Sequence, residues 1–141
     1  MCSDEFMIFW GGGRTTADAN RWFDGIVATA EEIPFGKQPL IVRDSGVIAG
    51  YAGVGWFDYD GDRRLEFGWR LAPEFRGLGY ATEASRALLG MAADAFAGEI
   101  LAIIHRDNQP SRNVARKLGF GFLAEAQVDG GPMDLYAIRI G

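Results

Sequence analysis

The feature that most constrains this sequence is a run in which an apolar strand, a glycine-rich turn and a helix follow one another. Residues 65–71 are apolar enough for a strand, residues 82–96 have the spacing of a helix, and the turn between them contains Arg76, Gly77 and Gly79. Glycine lets the backbone bend sharply and lets a ligand approach it closely. A helix that begins after such a turn directs free N–H groups and the positive end of its dipole at one point. The sequence therefore predicts an anion site at this turn, suited to a diphosphate, with the arginine as a further cation.

Two common phosphate-binding motifs do not fit this turn. A P-loop requires G-x-x-x-x-G-K-[ST], and the sequence contains no such run. The dinucleotide-binding fingerprint requires G-x-G-x-x-G, and Thr82 stands where its third glycine belongs. What remains is the pattern R-G-x-G-x-A, so a nucleotide-binding protein of either kind is not expected.

A second segment repeats the order of strand, polar turn and helix further along the chain. Residues 100–104 are a short apolar strand, and residues 111–118 are typical of a helix. Gly119 is the residue type expected just past the C-terminus of that helix. Asn108 and Ser111 stand where the helix begins, so both segments place polar groups at the end of a strand.

The two motifs at this spacing resemble the GCN5-related N-acetyltransferase (GNAT) superfamily. Within it, the sequence is most similar to the branch of ribosomal-protein N-terminal acetyltransferases, the RimJ/RimL type. The resemblance covers roughly residues 40–140, and residues 68–84 are very typical of that branch. The motif formed by residues 117–120, Lys-Leu-Gly-Phe, completes the second half of the signal.

The rest of the sequence fits the fold that the resemblance implies. This is an α+β fold with a mixed, mainly antiparallel sheet flanked by helices, in a single acetyltransferase domain of residues 1–141. Thr15 or Thr16 is placed to cap a helix that continues to Ala30. Relatives usually begin with a further strand and helix, and we expect this chain to lack roughly that first strand. An uncovered sheet edge would favour a homodimer or an acceptor site less enclosed than usual. Periodicity and turn residues predict further strands at 40–43, 47–53, 122–126 and 135–140, and hairpin turns at 44–46, 58–63 and 130–132.

Composition limits the classes of partner. A chain of 141 residues can bury a core, and it has no apolar run long enough to span a bilayer. Cys2 is the only cysteine, which excludes an internal disulfide framework, and the N-terminus does not read as a secretory signal, so a cytoplasmic location is expected. The net charge of −5 argues against a nucleic-acid binder and is compatible with a cationic acceptor.

The resemblance implies acetyl-CoA as cofactor and a defined set of residues to hold it. Backbone N–H groups of the turn, with the arginine, would hold the diphosphate. The end of the preceding strand would pair with the pantetheine arm as an added β-strand. The second motif would hold the arm near the thioester. The implied cofactor-binding residues are Trp69, Arg70, Leu71, Arg76, Gly77, Leu78, Gly79, Tyr80, Ala81, Thr82, Asn108 and Ser111.

Three side chains are candidates for catalysis. Glu66 precedes the turn on the strand where members of the superfamily often carry a carboxylate base, although a solvated strand residue or an acceptor-binding charge would look the same. His105 is the only histidine and suits proton transfer, although a lone histidine is more often structural. Many relatives protonate the leaving thiolate with a tyrosine at the position of Ala115, so Ser111 is the nearest substitute.

Other features are interpreted as structure. Alternating aspartates at 58, 60 and 62 suggest a calcium loop, but no glutamate follows at the required place, so no metal site is predicted. Acceptor specificity is expected to come from the loops at residues 11–16, 35–39, 58–63 and 128–133. Large aromatic side chains lie in the core more often than they line a pocket. We therefore assign four of them to the core and not to an acceptor pocket: Trp10, Trp22, Trp56 and Phe57.

The sequence thus predicts an acetyl-CoA-dependent N-acetyltransferase acting on a primary amine, with a protein N-terminal amine as the finer prediction. A small-molecule amine such as an antibiotic or polyamine is the alternative acceptor. A non-catalytic acyl-CoA-binding module is the alternative from another class, motivated by the vacant tyrosine position at Ala115.

Overall fold

The computed structural model describes residues 35–128 and 131–141, together with Asp24, Ala28 and Ile33. These ranges contain six strands and two helices, and a short 3-10 turn at Pro73–Phe75 precedes the first of the two helices. In chain order they are β1 (Gln38–Ile41), β2 (Ile48–Tyr59), β3 (Asp62–Leu71), α1 (Tyr80–Ala95), β4 (Gly98–His105), α2 (Gln109–Leu118), β5 (Gly121–Val128) and β6 (Gly131–Ile140).

The six strands form one sheet in the order β1-β2-β3-β4-β6-β5. Every neighbouring pair is antiparallel except β3 and β4, which are parallel. The antiparallel pair β2–β3 stays in register from Tyr59↔Asp62 to Gly50↔Leu71, whereas β3 and β4 share only the pair Glu66↔Leu101. The mixed, mainly antiparallel sheet predicted from the sequence is confirmed. Its two central strands, β3 and β4, separate from each other.

Both helices pack on the same face of the sheet. Alternate strand residues point to that face, because successive side chains of a strand project to opposite sides. They meet Leu88, Leu89 and Ala92 of α1 and Ala115 of α2. The strand residues of this core are Ala52, Val54, Leu65, Phe67, Ile100, Ala102, Ile104 and Tyr136. The intervening residues of β3, Glu66 among them, therefore lie on the face that these helices leave uncovered.

The predicted elements are confirmed, but their boundaries differ. Residues 58–63, predicted as a loop, are mostly strand, since β2 and β3 are joined by a two-residue turn at Asp60-Gly61. Both turn residues have positive φ, 52° and 83°, which matches the right-handed twist of a hairpin. Trp56 is 41% exposed, so its assignment to the core is wrong; Arg63 lies over its ring.

Several predictions concern residues that the structure does not describe. The missing first strand, Trp10 and Trp22 lie outside the described residues. Of the predicted helix ending at Ala30, only Asp24 and Ala28 are described, and both are helical. Within the described chain, no helix has the length and hydropathy needed to cross a membrane.

Candidate active site

The glycine turn before α1 forms an open cradle. Gly77 and Gly79 have φ of 76° and 83°, in the left-handed region that favours glycine, and a Cβ added to either would meet no atom within 4 Å. Gly79 is the N-cap of α1, and no side chain of the described residues caps the helix. The N–H groups of the first helical turn have no intrahelical acceptors, so the uncapped end directs them into the cradle. Space and positive potential therefore coincide at this turn.

The other residues of the turn have separate environments. Leu78 is 60% exposed, whereas Ala81 is buried against Ala49 and Leu71. Tyr80 is half-buried and its ring lies 6.4 Å from that of Phe75. The exposed Arg76 folds back, and its Nε donates to the Leu71 carbonyl over 3.1 Å. The arginine side chain thus braces the turn against the end of β3.

A surface groove of about 440 Å³ continues from the cradle between α1 and α2. Arg86 Nη2 donates to the Lys117 carbonyl over 3.2 Å, which joins the first helix to the end of the second. The groove thus carries two cations and one carboxylate, that of Glu83, next to the N-terminus of α1. Its lining residues are Gly79, Thr82, Glu83, Arg86, Ala87 and Lys117.

The end of β3 has an unpaired edge. Beyond Glu66↔Leu101 the register between β3 and β4 stops, so among the described strands the backbone of Trp69, Arg70 and Leu71 pairs with β2 on one side only. The Trp69 side chain packs in the core near Phe67 and Phe120, with ring centroids 6.1 and 6.3 Å apart. Arg70 is half-buried and alternates with Trp69, so it points to the opposite face.

The second motif is organised by a helix cap. Asn108 is the N-cap of α2, and its Oδ1 accepts a hydrogen bond from the Ser111 backbone N–H over 3.3 Å. This bond satisfies one of the free N–H groups of the helix. The two residues predicted to hold the cofactor are therefore brought together, with the Asn108 side-chain oxygen engaged in the cap. Ala115 is fully buried in the core, and Gly119 ends the helix with φ of 96°, as predicted.

Arg112 fastens α2 to the sheet. Its Nε donates to the Tyr136 hydroxyl over 3.1 Å, and its Nη1 donates to the Arg106 carbonyl over 3.2 Å. The hydrogen bond to Tyr136 raises the pKa of the Arg112 guanidinium, with smaller contributions from the nearby carboxylates of Asp134 and Asp107. The group therefore stays cationic at any working pH, and its bonds hold the segment that leads to Asn108.

Glu66 lies at the closed end of the strand opening. It is 9% exposed, and its Oε2 is 3.7 Å from the Lys37 Nζ. Its neighbours on this face include Gly55, its partner on β2, and Gly68, which lies two residues further along β3. The candidate base therefore has a cation at its side and glycines, which have no side chains, at the two neighbouring positions of the sheet.

His105 is separated from Glu66. It ends β4, four residues after Leu101, which is the partner of Glu66. At ~3.3 Å per residue this is about 13 Å along the strand. Its Nδ1 accepts a hydrogen bond from the Asp107 backbone N–H over 3.1 Å. The two predicted proton-transfer groups thus do not form one site.

Sequence reasoning missed Lys37 and Arg86 as site residues. Lys37 fell within a predicted loop, and nothing in its neighbourhood indicated that its side chain reaches a carboxylate on β3. In the sequence, Arg86 looks like any arginine on the solvent-exposed face of a helix. It lines the groove only because α1 and α2 pack against each other. Helical spacing alone offered a signal for Arg86, since it lies one turn after Thr82.

Comparison with known proteins identifies the family. The profile of the acetyltransferase (GNAT) domain matches residues 1–121. The chain belongs to the GNAT family. The uncharacterized N-acetyltransferase YnaD of Bacillus subtilis (strain 168) is 32% identical over 84 residues, which are 59% of this chain and 48% of that protein. The match thus spans about half the length of that relative.

Solved structures of acetyltransferases share the fold. A putative GNAT-family acetyltransferase from Bordetella pertussis is 27% identical with a TM-score of 0.78, covering 88% of this chain and 77% of that one. A ribosomal-protein-S5-alanine acetyltransferase from Vibrio fischeri is 15% identical with a TM-score of 0.75, covering 99% and 86%. A phosphinothricin acetyltransferase from Sinorhizobium meliloti, solved in complex with AcCoA, is 19% identical with a TM-score of 0.73, covering 92% and 72%.

Proposed function

We propose that this protein is an acetyl-CoA-dependent N-acetyltransferase that transfers the acetyl group to a primary amine. The observation that carries the proposal is the separation of β3 from β4 directly after Glu66, with the glycine cradle at the open end of the gap. A ligand with a diphosphate at one end and an extended arm at the other fits this arrangement. GNAT membership supports the same reaction.

The dimensions of the opening agree with acetyl-CoA. From Leu71 back to Glu66, β3 advances about 17 Å at ~3.3 Å per residue. The pantetheine arm has roughly twelve bonds between its phosphate oxygen and its sulfur, which extend about 14 Å at the advance of an extended chain. An arm that starts at the cradle and pairs with the free edge of β3 therefore ends close to Glu66.

Each part of the site has a role in this proposal. The first-turn N–H groups of α1 and the η nitrogens of Arg76 would hold the diphosphate, because charge-assisted bonds to phosphate are the strong ones. Arg86 and Lys117 would oppose the remaining phosphate charge of the nucleotide end in the groove. The capped turn at Asn108 would hold the arm on the β4 side.

The chain itself supplies a base and a surface from which the amine approaches. When bound, acetyl-CoA supplies an activated thioester carbonyl. Glu66 would accept a proton from the ammonium form of the acceptor, which otherwise is not a nucleophile. Because residues 55 and 68 are glycines, no side chain at these positions takes up space beside the carboxylate. Ser111, in the first turn of α2, would be the hydrogen-bond donor to the departing sulfur.

A protein N-terminal amine is the acceptor that we favour. Such an amine has a pKa near ~8, against about 10.4 for lysine, and so needs less help from a base. A small amine is the second candidate, because the phosphinothricin enzyme shares the fold.

Release of free thiol from acetyl-CoA, measured with a panel of acceptors, tests the proposal. The panel contains basic peptides with free N-termini, the same peptides with blocked N-termini, polyamines and an aminoglycoside. We expect release that continues over many turnovers with the free-ended peptides only. Release with polyamines or the aminoglycoside alone would support the small-amine acceptor. Calorimetric binding of CoA without release in any arm would favour the acyl-CoA-binding module over the enzyme.

A further inference from the structure

We propose that Lys37 is an internal acetylation site, an acceptor amine that the fold itself holds against Glu66. The inference rests on the proposed function, since the acetyl group would come from acetyl-CoA. Lys37 lies just before β1 and contacts the carboxylate through its ammonium, with 3.7 Å between Nζ and Oε2. A chain that transfers acetyl groups to amines would thus carry an amine at its own candidate base.

The Lys37–Glu66 pair lies largely out of solvent. The side chains of Lys37 and Glu66 are 19% and 12% exposed. The ammonium also lies 5.9 Å from the centre of the Tyr51 ring, in the range of a cation–π contact. The lysine is therefore held along a defined path across the sheet, unlike a surface lysine that samples many rotamers.

Two glycines make this path possible. A Cβ added to Gly55 would lie 3.5 Å from the Lys37 Cε and 3.6 Å from its Nζ. A Cβ added to Gly68 would lie 3.3 Å from Glu66 Oε1 and 3.7 Å from the Lys37 Cε. Larger side chains at these positions would occupy the space through which the lysine reaches β3. The two glycines thus leave room for an amine beside the Glu66 carboxylate, and the Lys37 side chain occupies that room.

The same position is where an acyl group would arrive. An arm that extends about 14 Å from the cradle ends near Glu66, at the closed end of the opening. Among the described residues, the core and both helices fill one face of the sheet there, and Glu66 and Lys37 lie on the opposite face, from which an amine would approach. Lys37 meets the two conditions for an acceptor, since it lies on the approach side and contacts the base.

The transfer balances without any further reactant. Glu66 takes one proton from the Lys37 ammonium, and the neutral amine attacks the thioester carbonyl. The N–C bond forms, the C–S bond breaks, and CoA leaves with the electron pair as a thiolate. The second amine proton goes to the thiolate, and the proton on Glu66 returns to solvent. The product is a neutral amide at residue 37, which no longer pairs with Glu66.

Lys117 provides a comparison within the same molecule. Lys37 and Lys117 are the only lysines in the sequence. Lys117 is exposed near the end of α2, in the groove proposed for the nucleotide end of CoA, so its labelling reports chemical acetylation away from the candidate base. A difference in acetylation between the two residues therefore measures what the site does to Lys37.

Mass spectrometry of the full chain tests the inference. The protein is incubated with ¹³C-acetyl-CoA and no added acceptor, cleaved with a protease that does not cut at lysine, and the label at each lysine is followed over time. We expect Lys37 to be labelled first, at a rate that does not depend on protein concentration. Glu66→Gln should slow labelling of Lys37 by about 100-fold, as loss of a general base does, and leave Lys117 unchanged. Glu99→Gln, which removes a carboxylate paired with Arg64, is the matched control.

Several outcomes would overturn the inference. Equal labelling of the two lysines, a rate proportional to protein concentration, or labelling of Lys37 that is insensitive to Glu66→Gln would each do so. Lys37→Arg keeps a cation beside Glu66, so undiminished total label in that variant would count against the site even if Glu66→Gln fails to fold. Thiol release with an added amine but no label at Lys37 overturns this inference alone, whereas absence of acetyl-CoA binding overturns the proposed function as well.

Discussion

Glu66 combines burial, an ion-pair partner and a position at the end of the strand opening, so its replacement should affect turnover more than binding. We expect Glu66→Gln to lower kcat by about 10²- to 10⁴-fold and to leave the KM for acetyl-CoA unchanged, because the carboxylate would contact the amine and not the cofactor. Steady-state kinetics on the best acceptor measures both. Glu99→Gln removes a carboxylate from the Arg64 ion pair on the same sheet and should change neither constant. A rise in the KM for the acceptor at constant kcat would make Glu66 a charge that binds the acceptor and not a base.

Single residues could be predicted from the sequence where their contacts lie within a few positions along the chain. The turn glycines and the Asn108–Ser111 pair are local, since the chemistry of each is decided within a few positions. Lys37 was not identifiable, because its partner Glu66 is far along the chain and the two meet only after β2 has paired with β3. The separation of His105 from Glu66 follows equally from the strand register, which composition and spacing do not reveal.

The turn that begins α1 is the element most directly tied to cofactor binding. In Gly79→Ala, the added methyl group would enter the cradle and force an L-residue into the left-handed region, which costs about 1–2 kcal/mol. We expect CoA affinity to fall about tenfold or more, a loss of ~1.4 kcal/mol in binding, measured by calorimetry. Gly61→Ala is a matched control, since Gly61 has the same φ of 83° and the same open space but lies in the β2–β3 hairpin. Equal CoA affinity in the two variants would contradict a phosphate site at the turn.

Helix α1 also contains a buried hydroxyl group without a hydrogen bond among the described residues. Ser85 is fully buried, and among the described residues its Oγ has no hydrogen-bond partner. Ser85→Ala removes a desolvated polar group and adds a better helix former, so the free energy of unfolding should rise by about 1 kcal/mol. Urea unfolding monitored by circular dichroism measures the change as a higher midpoint at constant slope. A lower midpoint would indicate that the hydroxyl has a partner in solution.

Element boundaries were predicted least well where pairing overrides local polarity. The polar run at residues 58–63 suggested a loop, yet Asp58 and Arg63 face each other across the β2–β3 ladder. Asp60-Gly61 was the available signal, since this dipeptide is typical of a two-residue hairpin turn. The helix ends were predicted more closely, because Gly119 and the glycine turn are local signals that need no tertiary contact.

For the molecule as a whole, the sheet consists of two halves that are weakly joined. β1, β2 and β3 form one antiparallel unit, and β4, β6 and β5 form the other, with the pair Glu66↔Leu101 between them. Helix α1 packs across both halves through a shared core, so the halves are held together on one face. An arm inserted between β3 and β4 would supply hydrogen bonds to edges that the sheet itself leaves open.

Hydrogen exchange can therefore distinguish an inserted arm from a nucleotide held at the surface. We expect saturating CoA to slow amide exchange at residues 67–71 of β3 and at residues 77–82 of the turn, because both backbones gain acceptors. At about 100 times its Kd, CoA should also raise the free energy of unfolding by ~2.7 kcal/mol. Adenosine 3′,5′-bisphosphate, which lacks the arm and the diphosphate, should protect neither segment to the same extent. Protection confined to residues 77–82 with CoA would mean that the arm does not enter the sheet, and the thioester would then lie away from Glu66.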